Sequence, residues 1–475
     1  MNSKPPQRRA CIIGAGPNGL AAAITLAQHG VHVDVFEAQP QPGGAARTLE
    51  LTLPGFLHDF GSAVHPFAAG SPFFSSLPLQ AHGLRWIHSP APLAHPLDDG
   101  TAIILERGLH DAESALGPDG KRWRRLMQPF AEHWSYLSTE ILRPLHVFTR
   151  HPFLLARFGL LAFPSAKALS HLFRTERTKA LFAGLAAHSF LSLDQPLSAA
   201  FGITLGAAAH AVGWPIPQGG SQSLTTALCA HLASLGGTVK TSMRIEDLSA
   251  LEEYDATLCD VTPHQLLRIA RNRFPARFAR RLAKYRYGPA AFKVDFALHS
   301  PIPWKAPDCA RAATVHLGGT FQEIAASEYA MSNGRHAERP FVLLAQPTLF
   351  DPTRAPAGKH IAWAYCHVPN GSSVDMLEAL ESQIERFAPG FRDCILARHI
   401  FSPAALEEMD PNLIGGDIVG GTMDLRQCLF RPTWRRYATP LRKVYICSSS
   451  TPPGGGVHGM CGHNAAKLAA SRLFT

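Results

Sequence analysis

The chain has 475 residues, of which 46% are hydrophobic, 17% charged and 9% aromatic. That is about three domains' worth of chain, and the composition excludes disorder, collagen and coiled coil as the main state. The formal charge of +9, with 24 histidines besides, fits an anionic ligand, an anionic lipid surface or nucleic acid.

Nine cysteines with no C-x-x-C pair exclude zinc ribbons and thioredoxin-type dithiols, and no metal site is expected. Scattered thiols fit a reducing, cytoplasmic setting. Met1–Arg9 is basic and Ala10–Ile13 apolar, but the glycine-rich run that follows spoils a signal-peptide core.

Cys11–Ile13 reads as a strand, Leu20–His29 as a helix and Val31–Phe36 as a second strand. Together they form a β-α-β unit with a right-handed crossover. Residues 71–140 are mixed and rich in turns. Ile141–Ala180 carries seven Lys/Arg and one acid among many Phe and Leu residues. Gln195–Val239 has no Asp, Glu, Lys or Arg. Its most apolar part, Ala199–Trp214, is too short to span a bilayer and reads as a buried helix or pocket lining. Ser221–Leu235 looks helical, Thr238–Thr241 and Ala256–Cys259 look like strands, and Ala291–Leu298 alternates like one. Arg268–Arg286 holds eight basic residues and no acid. Gly415–Thr475 closes the chain with strands, a glycine-rich loop and a helix from about Gly462.

Gly14-Ala15-Gly16-Pro17-Asn18-Gly19 is a G-x-G-x-x-G loop between a strand and a helix. Gly14 permits the tight turn, Gly16 lets backbone approach a pyrophosphate, and Gly19 lets helix pack on strand. The helix start, with Asn18, offers free N–H groups to phosphate. Glu37 ends the second strand, where its carboxylate can take ribose hydroxyls and repel a 2′-phosphate. Gly43-Gly44-Ala45-Ala46-Arg47-Thr48 follows, a G-G-x-x-R-[ST] string that accompanies FAD sites, with Arg47 placed to fork onto the pyrophosphate. No second G-x-G-x-x-G opens a later β-α-β unit, so a separate NAD(P)H domain is not expected.

The chain resembles the flavin-dependent amine oxidase superfamily, and within it the phytoene desaturase and carotenoid isomerase group. The resemblance rests on the loop just described and on four further stretches. Asp59-Phe60-Gly61-Ser62-Ala63-Val64-His65-Pro66 resembles a stretch that passes near the isoalloxazine. Gly219-Gly220-Ser221 resembles a turn opening a helix. Ile245-Glu246-Asp247-Leu248 stands where the family meets the adenine end. Pro453 to Ala466 resembles the C-terminal P-G-G-G-V-x-G-x-x-G-x-N-A-A signature. One departure is Ser448-Ser449-Ser450, where the family usually has Gly; a hydroxyl of Ser448 can still meet phosphate or ribityl groups.

The resemblance implies non-covalent FAD held by Gly14, Gly16, Asn18, Gly19, Glu37, Gly44, Arg47, Gly61, Ser62, Ala63, Ile245, Ser448, Gly455, Gly456 and Val457. It implies hydride transfer from a substrate C–H to flavin N5, the protein orienting and tuning the cofactor. Lys293, on a strand, is the candidate catalytic lysine. His65 and His458 flank the two ring-contacting motifs and are candidates for proton transfer near neutral pH.

The expected fold is α/β: a Rossmann-type FAD-binding domain from residues 1–70, 205–288 and 415–475, with a discontinuous α+β substrate domain from 71–204 and 289–414. The expected function is an FAD-dependent dehydrogenase or desaturase acting on a hydrophobic, polyene- or lipid-like substrate. An amine or amino-acid oxidase, a redox-neutral isomerase and a non-catalytic flavin-binding partner are the alternatives. Oxygen and quinone both stand open as electron acceptor. The basic, apolar segment Ile141–Ala180 points to peripheral contact with an anionic membrane. Nucleic acid is not expected, because no nucleic-acid fold signature accompanies the charge.

Overall fold

The computed structural model describes residues 8–144 and 149–474. Phe148, one of the apolar residues in the basic segment, and Met1–Gln7 lie outside them.

Two sheets organise the chain. The first has five strands in the order Val444–Ile446, Ala256–Cys259, Arg9–Ile13, His32–Phe36, Thr238–Lys240, all parallel. Its inner strands are short and almost wholly buried, as a sheet covered on both faces requires, while the edge strand Thr238–Lys240 is partly exposed. The helix Pro17–Gln28 packs on it through Leu20, Ala21, Ile24 and Leu26, all fully buried. The C-terminal helix Met460–Leu473 lies against that helix. Of the strands expected in the last 61 residues, one forms, Val444–Ile446. Much of the rest is loop, held by Arg431, whose buried guanidinium donates to the Gly420 and Ser449 carbonyls.

The second sheet has seven strands, in the order Ile395–Phe401, Ala290–Leu298, His360–Val368, Val342–Ala345, Ala312–Leu317, Ala91–Pro96, Ala102–Leu105. One pair is parallel, Ala312–Leu317 with Ala91–Pro96. Side chains alternate between faces along each strand. One face, with Phe292, Val294, Phe296, Val315, Leu344, Ala364 and Cys366, joins an apolar core closed by the helix Leu377–Phe387. The other carries Lys293, Asp295, Thr314, His316, Leu343, Trp363, Tyr365 and His367, and looks toward the first sheet's domain across a cavity.

The helix Ser198–Ala211 is buried along most of its length, and Phe201, Leu205 and the following Trp214 line the same cavity. The charge-free segment is therefore core and pocket wall. The basic segment ends in the first residues of the helix Glu176–Ala187, a core helix whose fully buried Leu181, Phe182, Leu185 and Ala186 lie beyond Ala180. Pro152–Ala162 is a surface helix with Phe153 89% and Leu160 78% exposed. Between them lies the short helix Ala166–Ser170.

Candidate functional site

The parallel sheet sends its strands into the loops that build the first half of the cavity, as expected at the carboxyl ends of such strands. Gly14 leaves the first strand with φ +98°, and its amide donates to the Phe36 carbonyl at 2.8 Å. A Cβ on Gly19 would lie 2.0 Å from the Gly14 carbonyl oxygen, so only glycine lets the helix start this close to the strand. Glu37 closes the loop from the far side: its carboxylate accepts from the Ala15 amide at 2.8 Å and the Gln39 amide at 2.9 Å. Gly14, Gly16, Asn18, Glu37, Gly44 and Arg47 all line the cavity. Gly19 does not; its amide donates to Asp260 Oδ2 at 2.8 Å.

Asp260 is a site residue that the motifs did not reveal. It directly follows the strand Ala256–Cys259, and that position at a parallel strand's carboxyl end was the available signal. Burial pushes its carboxyl up to about 8, with Asp410 and Glu37 adding to the shift and the Gly19 amide opposing it. Arg47 is 4% exposed. It donates to the Gly44 carbonyl at 2.8 Å and the Met409 carbonyl at 3.1 Å, and lies 5.0 Å over the Phe60 ring. Part of its fork is thus committed to backbone, while the side chain still borders the cavity. Ile245 lines the outer end with Met243, Arg244 and Arg268.

In the middle of the cavity stand Gly61, Ser62 and Ala63 from one loop and Gly455, Gly456 and Val457 from another. A Cβ on Gly455 would lie 2.3 Å from the Val419 carbonyl oxygen. Asp59 holds the first loop against the second chain segment. Its carboxylate accepts from Thr48 Oγ1 and the Ser221 amide at 2.8 Å each, and from Arg354 at 2.9 Å. Ser448 points inward, bonded to Ser450 at 2.6 Å, and Ser449 takes the place on the cavity wall.

The three catalytic candidates separate. His65 borders the cavity, but its Nε2 is bonded to Ser221 Oγ at 2.8 Å. His458 is 1% exposed and absent from the wall, and its Nδ1 accepts the Met460 amide at 3.0 Å. Burial pulls both imidazoles down to about 4.

Lys293 does stand on the wall, 3% exposed. Its ammonium pairs with Asp295 and lies 5.3 Å and 5.8 Å from the Phe401 and Trp363 ring centres. His58 Nδ1 lies 3.6 Å from the other Asp295 oxygen. Burial lowers Lys293, against the pull of Asp295, and raises Asp295 to about 6. Sequence reasoning missed Asp295 and His58. Asp295 stands two residues from Lys293 on the same strand, which was its signal.

Comparison with known proteins places this geometry. Residues 12–75 match the family model of an NAD(P)-binding Rossmann-like domain. The chain is 26% identical to rat (Rattus norvegicus) pyridine nucleotide-disulfide oxidoreductase domain-containing protein 2, over 98% of this chain and 93% of the relative. It is 22% identical to the lycopene-forming phytoene desaturase of Pseudescherichia vulneris, over 98% and 99%. Among solved structures, putrescine oxidase bound to putrescine has a TM-score of 0.61 at 15% identity, covering 98% of each chain. The structural likeness shows a shared fold, and the curated relatives support an oxidoreductase in general.

Proposed function

We propose that this protein is an FAD-dependent dehydrogenase or desaturase of an apolar substrate. The observation that carries the reading is one continuous cavity of about 440 Å³. It runs from the dinucleotide loop, past Gly61–Ala63 and Gly455–Val457, to a wall of Phe201, Leu205, Trp214, Leu343, Trp363 and Tyr365. The residues fit FAD. Asn18 Oδ1 and Ser62 Oγ are buried without partners among the described residues, and Gly14, Gly16, Gly455 and Gly456 bring backbone to the cavity wall.

Bound there, FAD supplies the capacity to take a hydride from a C–H bond. The protein's part is binding, orientation and exclusion of water. Glu37 takes the ribose end and Arg47, with the helix start at Pro17, the pyrophosphate. Lys293 keeps a positive charge at the boundary between the middle loops and the apolar wall. The test is Glu37→Ala and Arg47→Ala. A hydrogen bond to a charged group is worth about 1.5–3 kcal/mol, so each change is expected to weaken FAD roughly 10- to 100-fold in a flavin fluorescence titration. Unchanged affinity in both variants contradicts the assignment.

We propose also that the surface helix Pro152–Ala162 seats the protein on an anionic membrane, a route for a substrate that avoids water. Phe153, Leu160 and Phe163 are exposed, and Arg150 and Arg157 stand beside them. Among the described residues no helix is long and apolar enough to cross a membrane. Each basic residue near an anionic surface is worth about 1 kcal/mol, and salt screens that term but not the apolar one. Co-sedimentation with anionic liposomes is expected, weaker with neutral ones and reduced in the Arg150→Glu/Arg157→Glu variant at constant flavin content. Protein that stays in the supernatant with both lipids overturns this.

A further inference from the structure

The apolar end of the cavity contains a polar device for which hydride transfer from a hydrocarbon has no use. His188 lines the wall beside Trp214. Its Nε2 lies 3.0 Å from Nε2 of His316, which stands on the sheet face below. One of the two nitrogens must therefore donate to the other. His316 Nδ1 decides which. It is sealed from solvent and has no partner, because Gly184 packs so closely that a Cβ there would lie 2.6 Å from it. A buried N–H without an acceptor is rarer than an acceptor without a donor. His316 therefore leaves Nδ1 bare and donates from Nε2. His188, accepting on Nε2, must carry its proton on Nδ1, the nitrogen left to the cavity.

Tyr365 stands two strands away on the same sheet face. Leu343 pairs with His316 on one side and with Tyr365 on the other, so all three share one row. The Tyr365 ring stacks on Trp363 at 5.6 Å, and its hydroxyl has no hydrogen-bond partner among the described residues. Two donors thus border one apolar floor.

The charges nearby are already spent. Lys293 is paired with Asp295, and Glu328 with His367 at 2.8 Å. Among the described residues at this end of the cavity, no unpaired carboxylate waits for an ammonium group and no unpaired cation for a carboxylate. Burial keeps His188 neutral, its imidazole drawn down to about 3.

We infer that the substrate is an apolar molecule bearing a neutral carbonyl oxygen, which the Nδ1–H of His188 and the Tyr365 hydroxyl receive at the Leu343 floor. This rests on reading the cavity as the substrate site of an oxidoreductase. A site built to hydrogen-bond an oxygen rejects the analogue that lacks it, because its donors are then buried unpaired.

The test uses flavin-loaded protein and tryptophan fluorescence, since Trp214 and Trp363 line the cavity. The ligands are 2-undecanone, undecane and protonated undecylamine, presented in the same mild detergent. The ketone is expected to bind at least 10-fold tighter than the alkane, with the amine weakest. Tyr365→Phe, which removes only the hydroxyl, and His188→Leu should each cut the ketone-to-alkane ratio several-fold. A ratio near one in the wild type, a ratio unchanged in both variants, or tightest binding of the amine overturns the inference. Flavin content is measured in parallel by acid release. Loaded flavin without ketone preference defeats this inference alone. Ketone preference in a protein that holds no flavin defeats the oxidoreductase reading alone.

Discussion

Asp295→Asn is expected to lower the free energy of unfolding by about 3–5 kcal/mol at pH 7, the usual cost of leaving one half of a buried ion pair alone. Asp295 is fully buried and Lys293 is 3% exposed, so water cannot replace the lost carboxylate. The remaining neighbours do not help: His58 is pulled down to about 3 by burial, with Lys293 adding to it, and Asp59 is already bound by Arg354. Removing both charges tells a different story. Lys293→Met/Asp295→Asn leaves no uncompensated ion, and most of the stability should return. Urea unfolding of the single and double variants, followed by fluorescence, measures the coupling. Equal losses in Asp295→Asn and the double variant would mean that the pair carries no mutual stabilisation. Activity separates from stability here. The double variant folds but loses its positive charge at the cavity wall, so turnover should fall while the fold survives.

Asp260→Asn should stabilise the flavin-free protein, and by more as pH rises. The folded chain holds this carboxyl's proton up to about 8, whereas an unfolded aspartate releases it near its ordinary value of 3.8. Between those two values the folded state binds more protons than the unfolded state. Stability from this group is therefore complete below about 4, falls as pH rises through the window, and levels off above about 8. The accumulated cost is several kcal/mol, since each pKa unit is worth about 1.4 kcal/mol. Asparagine keeps an oxygen for the Gly19 amide and has no proton to lose. Thermal midpoints at pH 5 and pH 8.5 check this: the gap between variant and wild type should widen at the higher pH. Parallel curves would show that Asp260 is ionised at no cost. The same substitution removes a developing negative charge from the loop offered to a pyrophosphate, so FAD affinity should become less dependent on pH.

The N-terminal unit was legible because its signals are local. The glycine spacing, the apolar runs on either side and Glu37 all act within 30 residues of one another, and the strand Ala256–Cys259 appears with the bounds expected from its apolar run. Lys293 shows where locality ends. Its alternation with Val294 and Asp295 reads equally as a solvent-facing strand, yet all nine residues of Ala290–Leu298 are buried. The polar face of that strand meets a cavity, and only packing over the sheet by residues distant in sequence decides this. His188 and Asp260 were illegible for the same reason. His188 takes its meaning from His316, 128 residues away, and Asp260 from Gly19, 241 residues away. Ser448 was read from its position after a strand, but the loop that follows turns its hydroxyl onto Ser450 and gives Ser449 the wall. In the basic segment, composition does not separate environments: Phe153 and Leu160 are exposed while Leu169 and Phe173 are buried, and net charge does not distinguish them.

The most direct test of the central claim is the identity of the nucleotide that leaves the purified protein on acid precipitation. No flavin-linking His or Cys string is present, and Cys447, which follows the strand Val444–Ile446 ahead of the ring loop, is fully buried with burial pushing its pKa up. About one FAD per chain, yellow and in the supernatant, is the result expected. Flavin retained in the pellet would contradict non-covalent binding, and a nicotinamide dinucleotide in place of flavin would contradict the cofactor assignment itself.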